Sequence, residues 1–549
     1  MSEMQKLDVL VVGAGPTGLL LASVLARRGV QVRLIERRNL PAEHSRALAV
    51  VPRTMEMLDQ LGLANAFITP SHKAKGICFY GRDRKEAFRS SMNELPSEFP
   101  YFLLLPQTET ELLLVDHARK VGVKIERGLG FLSMVQTGQG VLATLERMDG
   151  TREEVNASYV VGCDGSRSAV RQAAGLEFNG GGYGQSWLLA DVVLDPALDP
   201  NWLHGFTSID GPIFFFPLPN HIWRIVLLRK RGENATTEVS MHEIVETLEK
   251  NHFGHLRARD PSWLAGFGIQ HRRTVHIRMG RVFLCGDAAH VHSPAGGQGM
   301  NMGLGDAFNL GWKLAHVIHG NSREEILDSY EEERMPVIDG VMRMTDQMTK
   351  LISATDGPRV WIREWILPIV AKMGFAAKMG FAAKMAMRLS QLSLGYPHSS
   401  IVLPGRVAAG AKPGERVPPL SFLDLATKRA SRTPDLFGKG KIVFLVMPDL
   451  GIGSEGMREV MDRRLDLIDW QWMVKKGSRK PSEARIGELV WVDEGGKVRE
   501  ELGVGDHPSF ALLRPDGIVM ARGELCETQL MQDFLCRVFG GSISGRFSS

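Results

Sequence analysis

The chain has 549 residues, of which 44% are hydrophobic and 23% charged, with a formal net charge of +4; this balance suits roughly two to four globular domains and offers no block of like charges as a nucleic-acid footprint. Its five cysteines are odd in number, far apart and without a C-x-x-C pair, which argues against a disulfide framework or structural zinc and for a reducing, cytoplasmic setting. The chain shows no signal-peptide pattern at its start and no long apolar run, so no transmembrane span is expected.

Residues 7–12 read as a buried strand, followed by a glycine turn, a helix over about 17–28 and a second strand over 31–36. That is a βαβ unit and implies a parallel sheet. Further helices are expected over 52–61 and 108–120, each closed by a glycine. Residues 73–98 and 177–278 change character: short β-rich runs such as 213–216 and 223–228 suggest a mostly antiparallel sheet. A buried strand at 282–285 leads through a glycine-rich loop into a helix over about 300–318. Helical sequence continues to about 394 and carries a short repeat, Lys372-Met-Gly-Phe-Ala-Ala recurring at Lys378. A Gly- and Pro-rich stretch at 403–419 marks a boundary. Beyond it, 441–447 reads as a strand, and 509–513 and 518–521 flank the turn Arg514-Pro-Asp-Gly517, as in a small independent α/β unit.

Chemistry enters first at Gly13-Ala14-Gly15-Pro16-Thr17-Gly18, set between the first strand and its helix. Glycines there permit a tight turn and close backbone approach to a pyrophosphate, whose charge the helix N-terminus stabilises. Glu36 stands at the end of the second strand, placed to accept hydrogen bonds from ribose hydroxyls. The string specifies a dinucleotide without choosing one.

Two further strings choose. Val161-Gly-Cys-Asp164-Gly-Ser-Arg-Ser-Ala-Val-Arg171 and Leu284-Cys-Gly-Asp287-Ala-Ala-His290, taken in order and spacing with the first, resemble the motifs of FAD-dependent aromatic hydroxylases, the family of 4-hydroxybenzoate, phenol and chlorophenol hydroxylases. The resemblance covers about residues 7–345. It implies an α/β chain: a Rossmann-like FAD-binding domain (1–72, 99–176 and 279–345) interleaved with a mostly antiparallel β-sheet substrate domain (73–98 and 177–278). A helical region (346–400), a C-terminal thioredoxin-like α/β domain (401–540) and a flexible tail (541–549) follow. That last domain lacks a redox pair, since Cys526 and Cys536 stand ten positions apart.

The resemblance also assigns contacts. FAD is expected on Gly13, Gly15, Pro16, Thr17, Gly18, Glu36 and Arg37. Arg46 would lie near the phosphates and the nicotinamide cofactor, Gln107 on the flavin side, and Asp287 on a ribityl hydroxyl. Asp164 would help hold FAD and the nicotinamide, with structural pairing to a nearby arginine as the alternative. Gly299, Met300 and Asn301 would face the pyrimidine edge of the flavin, where a helix start stabilises the anionic reduced ring. Asp306 to Leu314 would pack and cap around that helix.

The implied reaction is monooxygenation: NADPH or NADH reduces FAD, dioxygen yields a flavin hydroperoxide, and an electron-rich phenolic ring takes the distal oxygen. No metal and no Ser/His/Asp triad is expected. The family's acidic residue after the second strand is missing from Arg46-Ala-Leu-Ala-Val50, so His292 is the candidate for handling a phenol proton, and Pro294 the residue that limits solvent at the ring. Trp187, Phe206, Phe215 and Trp223, with Phe214 and Phe216, are candidates to line a pocket for a small aromatic substrate. A homodimer is compatible with this reading. Two rivals stand beside it: an FAD-dependent reductase or oxidase that inserts no oxygen, and a non-catalytic flavin-binding module.

Overall fold

The computed structural model describes residues 7–41, 47–81, 83–208, 211–229, 238–293, 297–352, 375–405, 409–448, 467–505 and 507–540. Val9 to Val12 form an apolar run with no polar face, which needs cover on both sides. Only the interior of a parallel sheet supplies that. The run becomes β1 (Leu7–Val12), joined through α1 (Pro16–Ala26) to β2 (Val32–Glu36). Helix α1 is buried on almost every side because it lies between this sheet and a later helix. Strands β3 (Ile125–Arg127) and β4 (Arg152–Gly162) extend the sheet in parallel on either flank.

The chain then builds a second sheet from β5 (Asn179–Asp195), β6 (Leu203–Ser208), β7 (Gly211–Pro217) and β8 (Ile222–Leu228), with α2 (Met241–Lys250) leading to β9 (Arg257–Arg273). It returns to the first sheet with β10 (Val282–Leu284), which pairs in parallel with β4. The two-residue β11 (His290–Val291) joins the edge of the second sheet beside β9. Helices α3 (Gln298–Ile318) and α4 (Asp328–Ile352) follow, and α3 packs along α1. The order of the second sheet is β11-β9-β5-β8-β7-β6, completed by Gly76–Tyr80 and Glu86–Ser91.

Alternation divides the second sheet into two unlike faces, because successive side chains of a strand point opposite ways. Leu188, Ala190 and Val192 pack on one face with Phe206, Phe215 and Trp223, closed over by Ile244 and Leu248 of α2. Trp187 and Leu189 pack on the other, with Phe267 and Ile269. The four aromatic residues expected to line a pocket, Trp187, Phe206, Phe215 and Trp223, are thus divided between the two faces. Three of the four are core beneath α2, and only Trp187 lies on the opposite face, together with Phe214.

A third sheet follows, built on β12 (Ile442–Met447), β13 (Ile468–Lys475), β14 (Leu489–Asp493), β15 (Ser509–Leu513) and β16 (Val519–Glu524), and closed by α5 (Thr528–Phe539). It is not detached from the rest. Ile442, Phe444 and Val446 join the core that fills the first sheet, while Val443, Leu445 and Met447 form a separate cluster. The turn between β15 and β16 inserts into the first part of the chain: Arg53 Nη2 donates to Asp516 O at 2.7 Å. The helix Phe375–Leu389 carries the second copy of the short repeat; the first copy lies in part, and the tail 541–549 wholly, outside the described residues. Among the described residues no helix is long and apolar enough to cross a membrane.

Candidate active site

The sheet-to-helix turn after β1 is dictated by glycine. A Cβ on Gly18 would lie 1.9 Å from Gly13 O, and one on Gly13 would lie 2.4 Å from Cys163 O. Neither position tolerates a side chain. Gly15 differs, because a Cβ there meets nothing within 4 Å. Open space thus begins at Gly15, where α1 starts with no side-chain cap and no acidic residue in its first turn. Its N–H groups remain available to an anion.

Glu36 closes one side of this turn. Its carboxylate accepts from Ala14 N and Arg38 N, both at 3.0 Å. Burial opposes ionisation there, but these two N–H groups and the Arg38 guanidinium hold the carboxyl below its ordinary value. Arg37 is exposed beside it, and its stem packs along Gly130. Gln107 opens the helix Gln107–Lys120 and donates to Glu111 Oε1 at 2.9 Å. Arg46 and Pro294 lie outside the described residues.

Asp164 does not form the alternative arginine pair; one carboxylate oxygen accepts from Ala169 N at 2.7 Å and Val170 N at 3.3 Å, capping the short helix Ala169–Ala173. Its other oxygen is buried with no partner, and burial pushes the carboxyl up. Arg171, quoted in the motif without a role, ties two motifs together by donating to Ala288 O and Ser166 O, both at 2.9 Å.

Asp287 stands on the turn after β10, exposed yet surrounded by protein, as on the floor of a cleft; that crowding pushes its carboxyl up. Gly286 before it has φ +61° and donates its N–H to Asp306 Oδ2 at 2.9 Å. The same carboxylate meets His290 Nε2 at 2.8 Å and Arg334 Nε at 2.6 Å. Asp306 is therefore a buried hub behind the turn, more than the packing residue the sequence suggested. The salt link from Asp306 to Arg334, 28 positions later, carries no local signal.

Helix α3 begins, like α1, with no side-chain cap and no acidic residue in its first turn; Gly297 before it has φ +66°. A Cβ on Gly299 meets nothing within 4 Å, and Met300 is half-buried. The side chain of Asn301 turns inward instead. It donates to Ala49 O and Gly297 O and accepts from Val51 N, pinning Ala49–Val50 to the start of α3. The two helix starts are neighbours, since a Cβ on Gly303 would come 2.4 Å from Thr17 Oγ1. Two uncapped helix starts thus lie together, with Glu36 and Asp287 as acceptors. That donor and acceptor set fits a dinucleotide carrying a pyrophosphate, ribose hydroxyls and an anionic ring.

His292 sits in the loop before α3. Its Nδ1 lies 2.9 Å from Ser293 O; a carbonyl only accepts, so Nδ1 carries the proton and Nε2 a bare lone pair. Burial lowers its pKa to about 4, as it does for His117 (about 4) and His316 (about 3). Unfolded histidines titrate near ~6.5. Unfolding between that pH and about 4 therefore takes up protons, so stability is present above ~6.5 and is lost as pH falls through the window. The melting temperature is expected to drop steadily over this range, and to drop less in His316→Gln. A flat profile would place these rings in contact with solvent. Among the described residues no cluster of three or more His, Cys, Asp or Glu could hold a metal.

A Rossmann-type sheet with these two helix starts defines a dinucleotide-binding protein of the flavoprotein class. Residues 6–345 match the FAD binding domain family. Across 528 residues the chain is 35% identical to 6-methylpretetramide 4-monooxygenase from Streptomyces rimosus, covering 94% of this chain and 91% of that protein. It is 31% identical to pentachlorophenol 4-monooxygenase from Sphingobium chlorophenolicum, covering 95% of each. Its structure resembles that of anhydrotetracycline hydroxylase from Streptomyces rimosus with a TM-score of 0.78 at 27% identity, covering 98% of this chain and 100% of that one. The chain belongs to the FAD-dependent aromatic hydroxylases and is a monooxygenase that uses FAD and dioxygen.

Proposed function

We propose that this monooxygenase takes electrons from NADPH and hydroxylates a phenolic ring held between the α3 start and the face of the second sheet opposite α2. The observation that carries the reading is the meeting of the two uncapped helix starts at Thr17, Gly286 and Gly303. Bound there, FAD supplies the chemistry by passing reducing equivalents to dioxygen and delivering one oxygen atom to the ring. The chain does the rest. The start of α1, with Gly13, Gly15, Pro16, Thr17 and Gly18, holds the pyrophosphate, and Glu36 takes the ribose hydroxyls. Asp287 takes a ribityl hydroxyl, and the backbone N–H groups of Gly299, Met300 and Asn301 face the flavin edge. The unpartnered oxygen of Asp164 is a further acceptor beside the cleft. Arg37, Arg46, Gln107 and Pro294 complete the assignment by family analogy.

We further infer an FAD-binding part on the first sheet, a substrate part on the second, and a thioredoxin-like unit at the C-terminus. Supporting the last, β13-β12-β15-β16 are neighbours in that order, with β12 and β13 parallel and β15 and β16 antiparallel, followed by α5. Its cysteines do not suit a dithiol redox centre, since Cys526 and Cys536 stand ten positions apart and form no C-x-x-C pair. Three buried free thiols elsewhere suit a reducing cytoplasm.

The test is turnover under labelled dioxygen. Purified protein should be yellow, oxidise NADPH faster with one member of a phenol panel, and yield a product carrying one labelled oxygen atom by mass spectrometry. NADH outpacing NADPH would reverse the donor assignment, and conversion without label would favour a reductase or oxidase.

A further inference from the structure

The face of the second sheet opposite α2 is buried, and it ends in polar atoms that have no hydrogen-bond partner among the described residues. Along β9, Phe267, Ile269 and His271 share that face by alternation. Antiparallel pairing of Arg272 with Val291 and of Arg273 with His290 places His271 opposite His292. The face therefore runs from an apolar floor (Trp187, Leu189, Phe214, Val226, Phe267 and Ile269) to a pair of imidazoles next to the loop that opens α3. Among the described residues, His271 Nδ1 and His292 Nε2 are both enclosed with no hydrogen-bond partner, and so is the indole Nε1 of Trp187. A buried polar atom without a partner is costly, and a ligand group of matching polarity removes that cost.

The spacing adds a ruler. Trp187 is paired across the sheet with Phe267, four residues from His271. At the rise of an extended strand that separation is about 13 Å. It matches the long axis of a fused polycyclic aromatic and exceeds a single benzene ring.

The geometry points to His271 and His292 as the specificity-determining pair of the substrate site, with His292 Nε2 accepting the hydroxyl proton of a planar polycyclic phenol. The Trp187 N–H donates to an oxygen at the other end of the ring system. His292 can only accept at Nε2, because its single proton is committed to Ser293 O. A methyl ether in place of the hydroxyl has nothing to donate and adds bulk. This inference rests on the reading of the face as the substrate wall.

Isothermal titration calorimetry on the oxidised holoenzyme tests it without turnover, with 2-hydroxyanthraquinone and 2-methoxyanthraquinone as probes. The wild type is expected to favour the hydroxy compound by roughly five- to ten-fold. His292→Ala should erase that preference while leaving the methyl ether within about two-fold of its wild-type affinity. His271→Gln should narrow the preference in the same direction. Retained FAD absorbance checks that each variant is folded. The proposal is overturned by wild-type protein that shows no preference or binds neither probe, or by a preference that survives in His292→Ala. Failure of the monooxygenase reading is seen separately, as product without labelled oxygen.

Discussion

Replacing Arg514 with methionine is expected to destabilise the protein by about 3–5 kcal/mol, the range for removing one partner of a buried ion pair. Arg514 comes from the turn after β15, yet its guanidinium lies 2.5 Å from Glu333 of α4 and 2.6 Å from Asp516. Glu333 also meets Lys313 Nζ at 2.7 Å, Asn309 Nδ2 at 2.6 Å and Ser399 Oγ at 2.6 Å. Two carboxylates thus balance two cations, all out of contact with water. Burial opposes the charge on Glu333, but Arg514 and Lys313 hold its carboxyl well below the usual range. Burial also lowers Lys313 to about 8 despite Glu333. Without Arg514 the site keeps an uncompensated negative charge in a dry interior. Urea unfolding followed by tryptophan fluorescence reports directly, because Arg514 lies 5.2 Å from the Trp312 ring centroid. Adding Glu333→Gln to Arg514→Met should recover part of the loss, since the orphaned charge is then removed. A loss under about 1 kcal/mol would mean that water screens the cluster as it does a surface pair.

Asp306→Ala should separate two effects. It strands Arg334, which keeps neutral partners in Tyr396 Oη and the Met302 carbonyl and sulfur, at a cost of about 3–5 kcal/mol. It also frees Gly286 N and His290, so the Asp287 turn loses its anchor. By the logic that outer partners orient the groups that touch a cofactor, FAD affinity should fall about 10- to 100-fold. Apoprotein titrated with FAD measures the second effect, and thermal unfolding the first. Asp306→Asn keeps one acceptor for Gly286 N and should fall between. An unchanged FAD affinity in a destabilised Asp306→Ala protein would reduce Asp306 to a structural counter-ion.

The elements that hold by local rules were legible in the chain itself. The strand Leu7–Val12, the glycine turn and the helix opening at Pro16 follow from a short apolar run, obligatory glycines and a helix-starting proline, all within one stretch. The turn at Arg514 to Gly517 was legible as a hairpin for the same reason; the first strand has the expected bounds, and the second starts one residue late and runs three residues further, to Glu524. What that turn touches was not legible. Its Arg514 pairs with a residue 181 positions earlier, and nothing in either neighbourhood marks the other.

The aromatic residues of the second sheet show a subtler limit. Phe214, Phe215 and Phe216 are adjacent, so at most alternate ones can face the substrate side. Which ones do is decided by strand register, and β5 carries two irregularities against β9. A one-residue shift exchanges the faces. Phe215 therefore falls beneath α2, while Phe214 and Trp187 meet on the other side.

By itself the sequence determined the cofactor class and the reaction class. FAD is recognised largely by backbone and by a few residues at constrained turns, and those turns are written locally as glycine strings. Tertiary structure alone decided which aromatic residues share a face of the second sheet, that Asp306 stands behind the Asp287 turn, and that the last sheet is locked to the first part by buried charge. Each of these depends on contacts between segments distant in the chain, where packing and desolvation, not local propensity, select the partner.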